Sequence, residues 1–164
     1  MEVKTRHHLR SDEIGRIDDA LAERLGVDLE GDSFERVEFV DDDTDLVLVD
    51  GDPLVVYVDR EEGESEPFLT VRGANGFSPE RRIVTVDSGA VSFVSDGADV
   101  MRPGIVEADE DIEAGDLVVI EEETHGKVLA VGRALVDGDE MLGDSGKVVE
   151  SIHHVGDDLF ETTF

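Results

Sequence analysis

Arg72, Arg81, Arg82 and Arg102 stand in a stretch where acid does not dominate. Residues 71–106 hold four basic and four acidic side chains, while the 164-residue chain as a whole carries a net charge of −29. A guanidinium is a planar fork of donors suited to phosphate and base edges, so arginines retained in such a chain are candidates for nucleic-acid contact. The bland alternative is surface pairing with nearby carboxylates, which contributes little. A second basic island lies at the N-terminus, with Lys4, Arg6, His7, His8, Arg10 and Arg16.

Other constellations carry less. Asp41, Asp43 and Asp45 occupy positions one, three and five of a calcium-type loop, but Leu46 replaces the turn glycine and Asp52 the bidentate glutamate, so a solvated acidic turn is expected. The pairs His7-His8 and His153-His154 would point to opposite faces of a strand, which makes neither a ready metal chelate; no metal is expected. The run from Val84 to Ala90 resembles the Asp-Ser-Gly turn of retroviral-type aspartic proteases, where two aspartates share a proton across a homodimer. No flap is visible, and a helix directly after Gly89 is wrong for that site, so Asp87 is expected to cap the helix instead. GxSxG, P-loop and post-strand GxGxxG patterns are missing, leaving nucleophilic hydrolysis and nucleotide binding unsupported. The reading is of a protein that is not an enzyme and needs no cofactor. Aromatic residues number seven Phe and one Tyr, with no Trp, which argues against a broad stacking platform for single strands.

The composition sets the surroundings. Forty-three acidic residues are spread along the chain, and only three of the 14 basic residues are lysine. Such self-repulsion strains a compact fold at low salt and is screened at about 1 M, where the Debye length is about 3 Å. The carboxylates read as a solvation device for a salt-rich cytoplasm. Zero cysteines exclude a disulfide framework and a thiolate metal site. No apolar run approaches the roughly 20 residues of a membrane span. The N-terminus has no apolar segment of a secretory signal, so a cytoplasmic protein that does not engage membranes is expected.

These residues must be positioned by a small set of elements. Val3 to Leu9 reads as a strand, followed by a helix capped by Ser11 or Asp12, striped by Ile14, Ile17, Leu21 and Leu25, and ended by Gly26. Strands follow at 34–40, 45–49 and 54–58, with Asp50-Gly51 as a hairpin turn and an acidic loop over Asp59–Pro67. Pro67 to Val71 reads as a strand running into a loop at Arg72–Gly76. The second half is strand-rich, at 83–86, 117–122, 128–135, 148–152 and 159–163, interrupted by a short helix over Ser88–Ser95 that Gly97 ends and by a loop at Met101–Gly104. The expectation is an α+β chain with an N-terminal α/β domain over residues 1–77 and a β-rich small barrel with one short helix over residues 78–164.

The stretch from Val86 to Ile105, with Asp87-Ser88-Gly89-Ala90, Phe93, Asp96-Gly97-Ala98-Asp99 and Met101-Arg102-Pro103-Gly104, is similar to the helix-and-loop signature of PUA domains, which are RNA-binding pseudobarrels. The ending from Ser151 to Phe160 resembles a narrower family, the translation-machinery-associated PUA proteins, in a haloarchaeal form. Its animal member is the product amplified in T-cell malignancies, and its members place a pre-PUA α/β domain before the PUA domain. The resemblance implies RNA binding in translation: at the tRNA acceptor end or small-subunit rRNA, in initiation or recycling, by a monomer working on the small ribosomal subunit, with a translation factor as a protein partner. An accessory role in tRNA or rRNA modification or in ribosome assembly is the alternative. By the same resemblance, Ser88, Gly89, Ala90, Ser92, Phe93, Gly97, Ala98, Asp99, Met101, Arg102, Pro103 and Gly104 face RNA, helped by Arg72, Arg81 and Arg82. Lys4, Arg6, His7, Arg10, His153 and His154 would form an auxiliary surface. Glycines let a backbone approach, a helix start offers N–H groups to phosphate, and Arg102 would add its fork. Ser92 stands where many relatives carry lysine, and Phe160 where Trp is frequent.

Overall fold

The computed structural model describes residues 1–60 and 63–164. Glu61 and Glu62, part of the acidic loop expected over Asp59–Pro67, lie outside the described residues. Strand β1 (Val3–His8) leads into helix α1 (Ser11–Leu25), whose Ile17, Leu21 and Leu25 are all buried, and Gly26 stops it with φ at +70°. The expected cap at Ser11 or Asp12 moves to Arg10, where the Glu13 carboxylate accepts from the Arg10 N–H at 3.4 Å. Strands β2 (Phe34–Phe39), β3 (Leu46–Val49), β4 (Asp52–Asp59) and β5 (Ser65–Leu69) then complete an antiparallel five-stranded sheet in chain order. Sequence alternation sorts its faces. Val47 and Val55 turn toward α1, while Leu46, Leu48 and Val56 turn to a second cluster with Val37 and Phe39 that Leu159 helps to cover.

The segment expected as a loop at Arg72–Gly76 is instead helix α2 (Val71–Phe77). Thr70 caps it, its Oγ1 accepting from the Gly73 N–H at 3.0 Å and donating to the Pro53 carbonyl at 2.8 Å. Gly73 is there for close approach, not for a turn: a Cβ at that position would run into the Leu54 carbonyl oxygen. A second correction falls at the C-terminus, where the strand expected over 159–163 is the single-turn helix α4 (Asp158–Glu161), with Asp157 accepting from the Phe160 N–H at 2.8 Å.

The remaining strands are β6 (Ile83–Val86), β7 (Val100–Met101), β8 (Ile105–Ala108), β9 (Leu117–Glu122), β10 (Val128–Ala134) and β11 (Lys147–His154), with helix α3 (Val91–Ser95) between β6 and β7. Strand β8, and strand β7 at the start of the expected Met101–Gly104 loop, are not among the expected strands. They form a six-stranded, nearly closed pseudobarrel in the order β7-β11-β10-β9-β6-β8, with β6 parallel to β9 and the other neighbours antiparallel. The structure is thus an α+β arrangement dominated by sheets.

The two sheets share a wall. On β9, Leu117 and Val119 enter the core that holds α1 and the first sheet, while Val118 and Ile120 enter the barrel interior. Strand β10 divides likewise, with Val128 and Val131 on one side and Leu129, Ala130 and Ala134 on the other. Helix α2 bolts the junction. Asn75 pairs with Val128 as a strand would, donating from Nδ2 to its carbonyl at 3.1 Å and accepting its N–H at 2.9 Å. His153, buried on β11, accepts the Val71 N–H at Nε2 (3.1 Å), which places its proton on Nδ1 facing Asp157 Oδ2 at 2.8 Å.

Three substitutions test this junction. Gly73→Ala forces backbone apart and should cost about 1–3 kcal/mol in urea unfolding. Gly76→Ala, three residues on in the same helix with open space around it, should gain up to about 1 kcal/mol. Burial raises the Asp157 carboxyl, but hydrogen bonds from His153 and from the His154 and Phe160 N–H groups outweigh it and hold the group below its ordinary value. Its stabilisation is therefore present above the unfolded value of about 3.9 and lost as pH falls through the lower folded value. Asp157→Asn should lower the melting temperature at neutral pH, and the gap to wild type should close in melts taken at successively more acid pH.

Candidate functional site

Between β6 and β8 the chain runs through α3 to β7 at the opposite edge of the barrel sheet, and this excursion is closed at its base by the Asp87 N–H donating to the Gly104 carbonyl at 2.9 Å. The Asp87 carboxylate accepts the Ala90 N–H at 3.0 Å and so shapes the turn before α3. Val94 on α3 is buried in the barrel, which fixes the helix and turns Ser92 and Phe93 outward. Gly97 reverses the chain with φ at +92°, in close contact with the His154 ring. Asp99 holds the returning strand, accepting the Ser151 N–H at 2.9 Å, with Lys147 Nζ 3.4 Å from its other oxygen.

The result is a groove of about 350 Å³ between the turn, α3 and the Met101–Gly104 segment. Ala90, Phe93, Val94, Val100, Met101 and Pro103 give it apolar walls, and Asp87 and Asp99 are the acids at its edge. Phe93 is 67% exposed and Met101 48% exposed. An unpaired base has a π-face that such a surface can hold; among the described residues no guanidinium lines it for a phosphate. Of the residues expected to face RNA, Ser88, Gly89, Ser92, Phe93, Ala98, Met101 and Pro103 are exposed, and Ala90, Gly97, Asp99, Arg102 and Gly104 are half-buried.

The arginines do not converge on this groove. Arg102 donates from Nε to the Glu140 carbonyl and from Nη1 to the Ser145 carbonyl, both at 2.9 Å, so its expected phosphate fork is committed to holding the 138–146 segment. Arg72 donates to the Phe160 carbonyl from Nε (3.1 Å) and Nη2 (2.8 Å) and lies over the Phe160 ring. Arg81 donates to the Glu23 carbonyl at 2.8 Å, and Arg82 sits 3.7 Å from Asp116. The expected free donors at the start of α3 are corrected in part, because the Ala90 N–H already meets the Asp87 carboxylate.

The auxiliary surface divides too. Lys4, Arg6 and His7 lie on β1, exposed throughout, with Arg6 paired to Glu35 at 2.7 Å and Arg10 to Glu13 at 3.1 Å. His153 is corrected: it is 3% exposed and belongs to the junction. His154 Nδ1 lies 3.0 Å from the Ser95 carbonyl, behind α3. Asp41, Asp42 and Asp45 are engaged with the Glu2 N–H, the Thr44 N–H and Arg36. Sequence reasoning missed Lys147 at the groove's rim; its only signal was that lysines are scarce in this chain.

The PUA domain family model matches residues 82–156. A conserved PUA domain protein of Thermoplasma acidophilum superposes with a TM-score of 0.80 at 30% identity, over 95% of this chain and 97% of that one. A hypothetical protein of Pyrococcus horikoshii superposes at 0.83 and 34% identity, over 98% and 100%. Translation machinery-associated protein 20 of Saccharomyces cerevisiae is 38% identical over 84 residues, which is 47% of this chain and 46% of that protein. The chain thus spans about half the length of that yeast relative.

Because Phe93 is packed on so little, Phe93→Ala should shift stability by no more than about 0.5 kcal/mol. Arg102→Ala, by contrast, leaves two carbonyls without their donors and should raise amide exchange across residues 138–146, read by hydrogen–deuterium exchange.

Proposed function

The chain belongs to the PUA domain family, and from that premise we propose that it is a non-enzymatic RNA-binding protein of the translation apparatus. It holds an unpaired RNA segment, a tRNA acceptor end or a single-stranded stretch of small-subunit rRNA, in the groove beside α3. The observation that carries this reading is Phe93, a large aromatic left 67% exposed at the mouth of an apolar groove in a chain with eight aromatic residues in all. One stacking point suits a terminus or a few bases. The yeast relative's name supports the assignment to translation. The Asp87 carboxylate accepts the Ala90 N–H at 3.0 Å and so shapes the turn into α3.

Stacking and hydrogen bonds resist salt better than phosphate neutralisation does, and this suits a chain of charge −29. RNA affinity should therefore fall much less between about 0.5 and 3 M KCl than the steep loss expected when several phosphates are neutralised. A steep negative slope would contradict the reading. Crosslinking in cells followed by sequencing of bound RNA tests the assignment. Acceptor ends or small-subunit rRNA, lost with Phe93→Ala, support it; enrichment of precursor RNAs points to RNA maturation, and no RNA above background overturns it.

A further inference from the structure

The groove beside α3 has the means to tell one base from another. The polar side chains lining it, among the described residues, are two carboxylates, Asp87 and Asp99. An ionised carboxylate accepts hydrogen bonds and donates none. No lysine, arginine, amide or hydroxyl side chain lines the groove with them among the described residues. We propose that Asp87 reads the edge of the bound base, selecting one that carries an exocyclic amino group and rejecting uracil, an inference that rests on the RNA-binding reading of this groove.

The two carboxylates are not equally free. Asp99 Oδ1 accepts the Ser151 N–H at 2.9 Å, and its Oδ2 lies 3.4 Å from Lys147 Nζ, so both oxygens are engaged. Asp87 uses Oδ1 on the Ala90 N–H at 3.0 Å, while its Oδ2 has no hydrogen-bond or ion-pair partner among the described residues. The bond at Oδ1 pins the carboxylate to the turn before α3, so the open acceptor is held in place before a ligand arrives, which lowers the ordering cost of binding. Gly89 keeps the approach clear: a Cβ there would lie 3.3 Å from Asp87 Oδ1, and a longer side chain would crowd the carboxylate. Phe93 lines the same groove, so a base stacked on its ring has its edge within the space that Asp87 bounds.

Bases differ in what that edge offers. Cytosine, adenine and guanine each carry an amino group that donates, whereas uracil has carbonyl oxygens on both sides of its one ring N–H. Cytosine and uracil are close in size and in stacking, and at position 4 one has a donor where the other has an acceptor. A uracil carbonyl against Asp87 Oδ2 sets two acceptors together, and the carboxylate then loses water with no donor in return. The same acids repel a phosphate, which leaves the base as the part of an RNA that the groove takes.

The test titrates the full chain with short single-stranded oligo-cytidine and oligo-uridine of equal length, in high salt. Wild type should bind oligo-cytidine about tenfold or more tighter, the worth of one hydrogen bond to a charged acceptor. An oligomer of N4,N4-dimethylcytidine, stripped of the amino donors, should bind as weakly as oligo-uridine. Asp87→Asn keeps an oxygen for the Ala90 N–H and gives the groove an amide NH2, so it should reverse the order in favour of oligo-uridine. A merely structural loss at Asp87 would weaken both oligomers alike and could not reverse them. Phe93→Ala should weaken both by the same factor, because stacking tolerates any base. Equal wild-type affinity for oligo-cytidine and oligo-uridine, full affinity for the dimethyl oligomer, or a preference that a folded Asp87→Asn leaves unchanged overturns the proposal; the groove reading then stands if Phe93→Ala still weakens binding. No binding, or binding that Phe93→Ala leaves intact, overturns the groove reading and this inference with it.

Discussion

Strands β9 and β10 have no face turned to solvent, and most of the architecture follows from that. Alternate side chains of one ladder must fill two different cores, so Val118 and Ile120 close the barrel while Leu117 and Val119 seat the first sheet and α1. A one-residue slip would exchange the two sets. The register is held from outside the ladder by Asn75, which supplies Val128 with both hydrogen bonds that a neighbouring strand would give. Helix α2 is held in turn by Thr70, His153 and the Leu54 carbonyl pressed against Gly73. The barrel is thereby tied down from one side, and the β6–β8 excursion carrying the groove stands on the other strands of that wall.

The arginines explain how so acidic a chain keeps its segments together. Arg72, Arg81, Arg102 and Arg133 all donate to main-chain carbonyls, joining segments distant in sequence, such as 72 to 160 and 133 to 59. A hydrogen bond from a charged donor is worth about 1.5–3 kcal/mol, against about 0–1 for an exposed ion pair. It is also less exposed to screening, because its acceptor carries no net charge. This use removes positive charge from the groove and leaves an apolar surface there. The groove accordingly offers shape and an exposed ring, not positive charge.

Much of this was legible because local pattern and tertiary context agree. The stripe of Ile17, Leu21 and Leu25 with Gly26 behind it marks α1, and unbroken apolar runs, Leu117–Ile120 and Val128–Val131, mark β9 and β10. Where the sequence misled, a residue's usual meaning was displaced by a neighbour. Gly73 and Gly76 read as loop residues, yet Gly73 is required by the Leu54 carbonyl inside a helix. Leu159 to Thr163 reads as a strand, but Asp157 captures the Phe160 N–H and starts a helical turn. In the site, the turn and loop around α3 were readable as a run of glycines and small residues. The fate of Arg102 was not, because its acceptors at Glu140 and Ser145 lie about forty residues away and are backbone atoms that no side-chain pattern advertises.

The proposed function puts unpaired RNA against Phe93 and Met101 in the groove beside α3. Methyl and aromatic NMR of the full chain, titrated with a short single-stranded RNA in high salt, tests it directly. Binding in the groove should shift the Met101 methyl upfield by ring current and perturb the Phe93 ring, in register with Ser88 to Gly104 amide changes. RNA binding that leaves Phe93 and Met101 unmoved while perturbing β1 would overturn it.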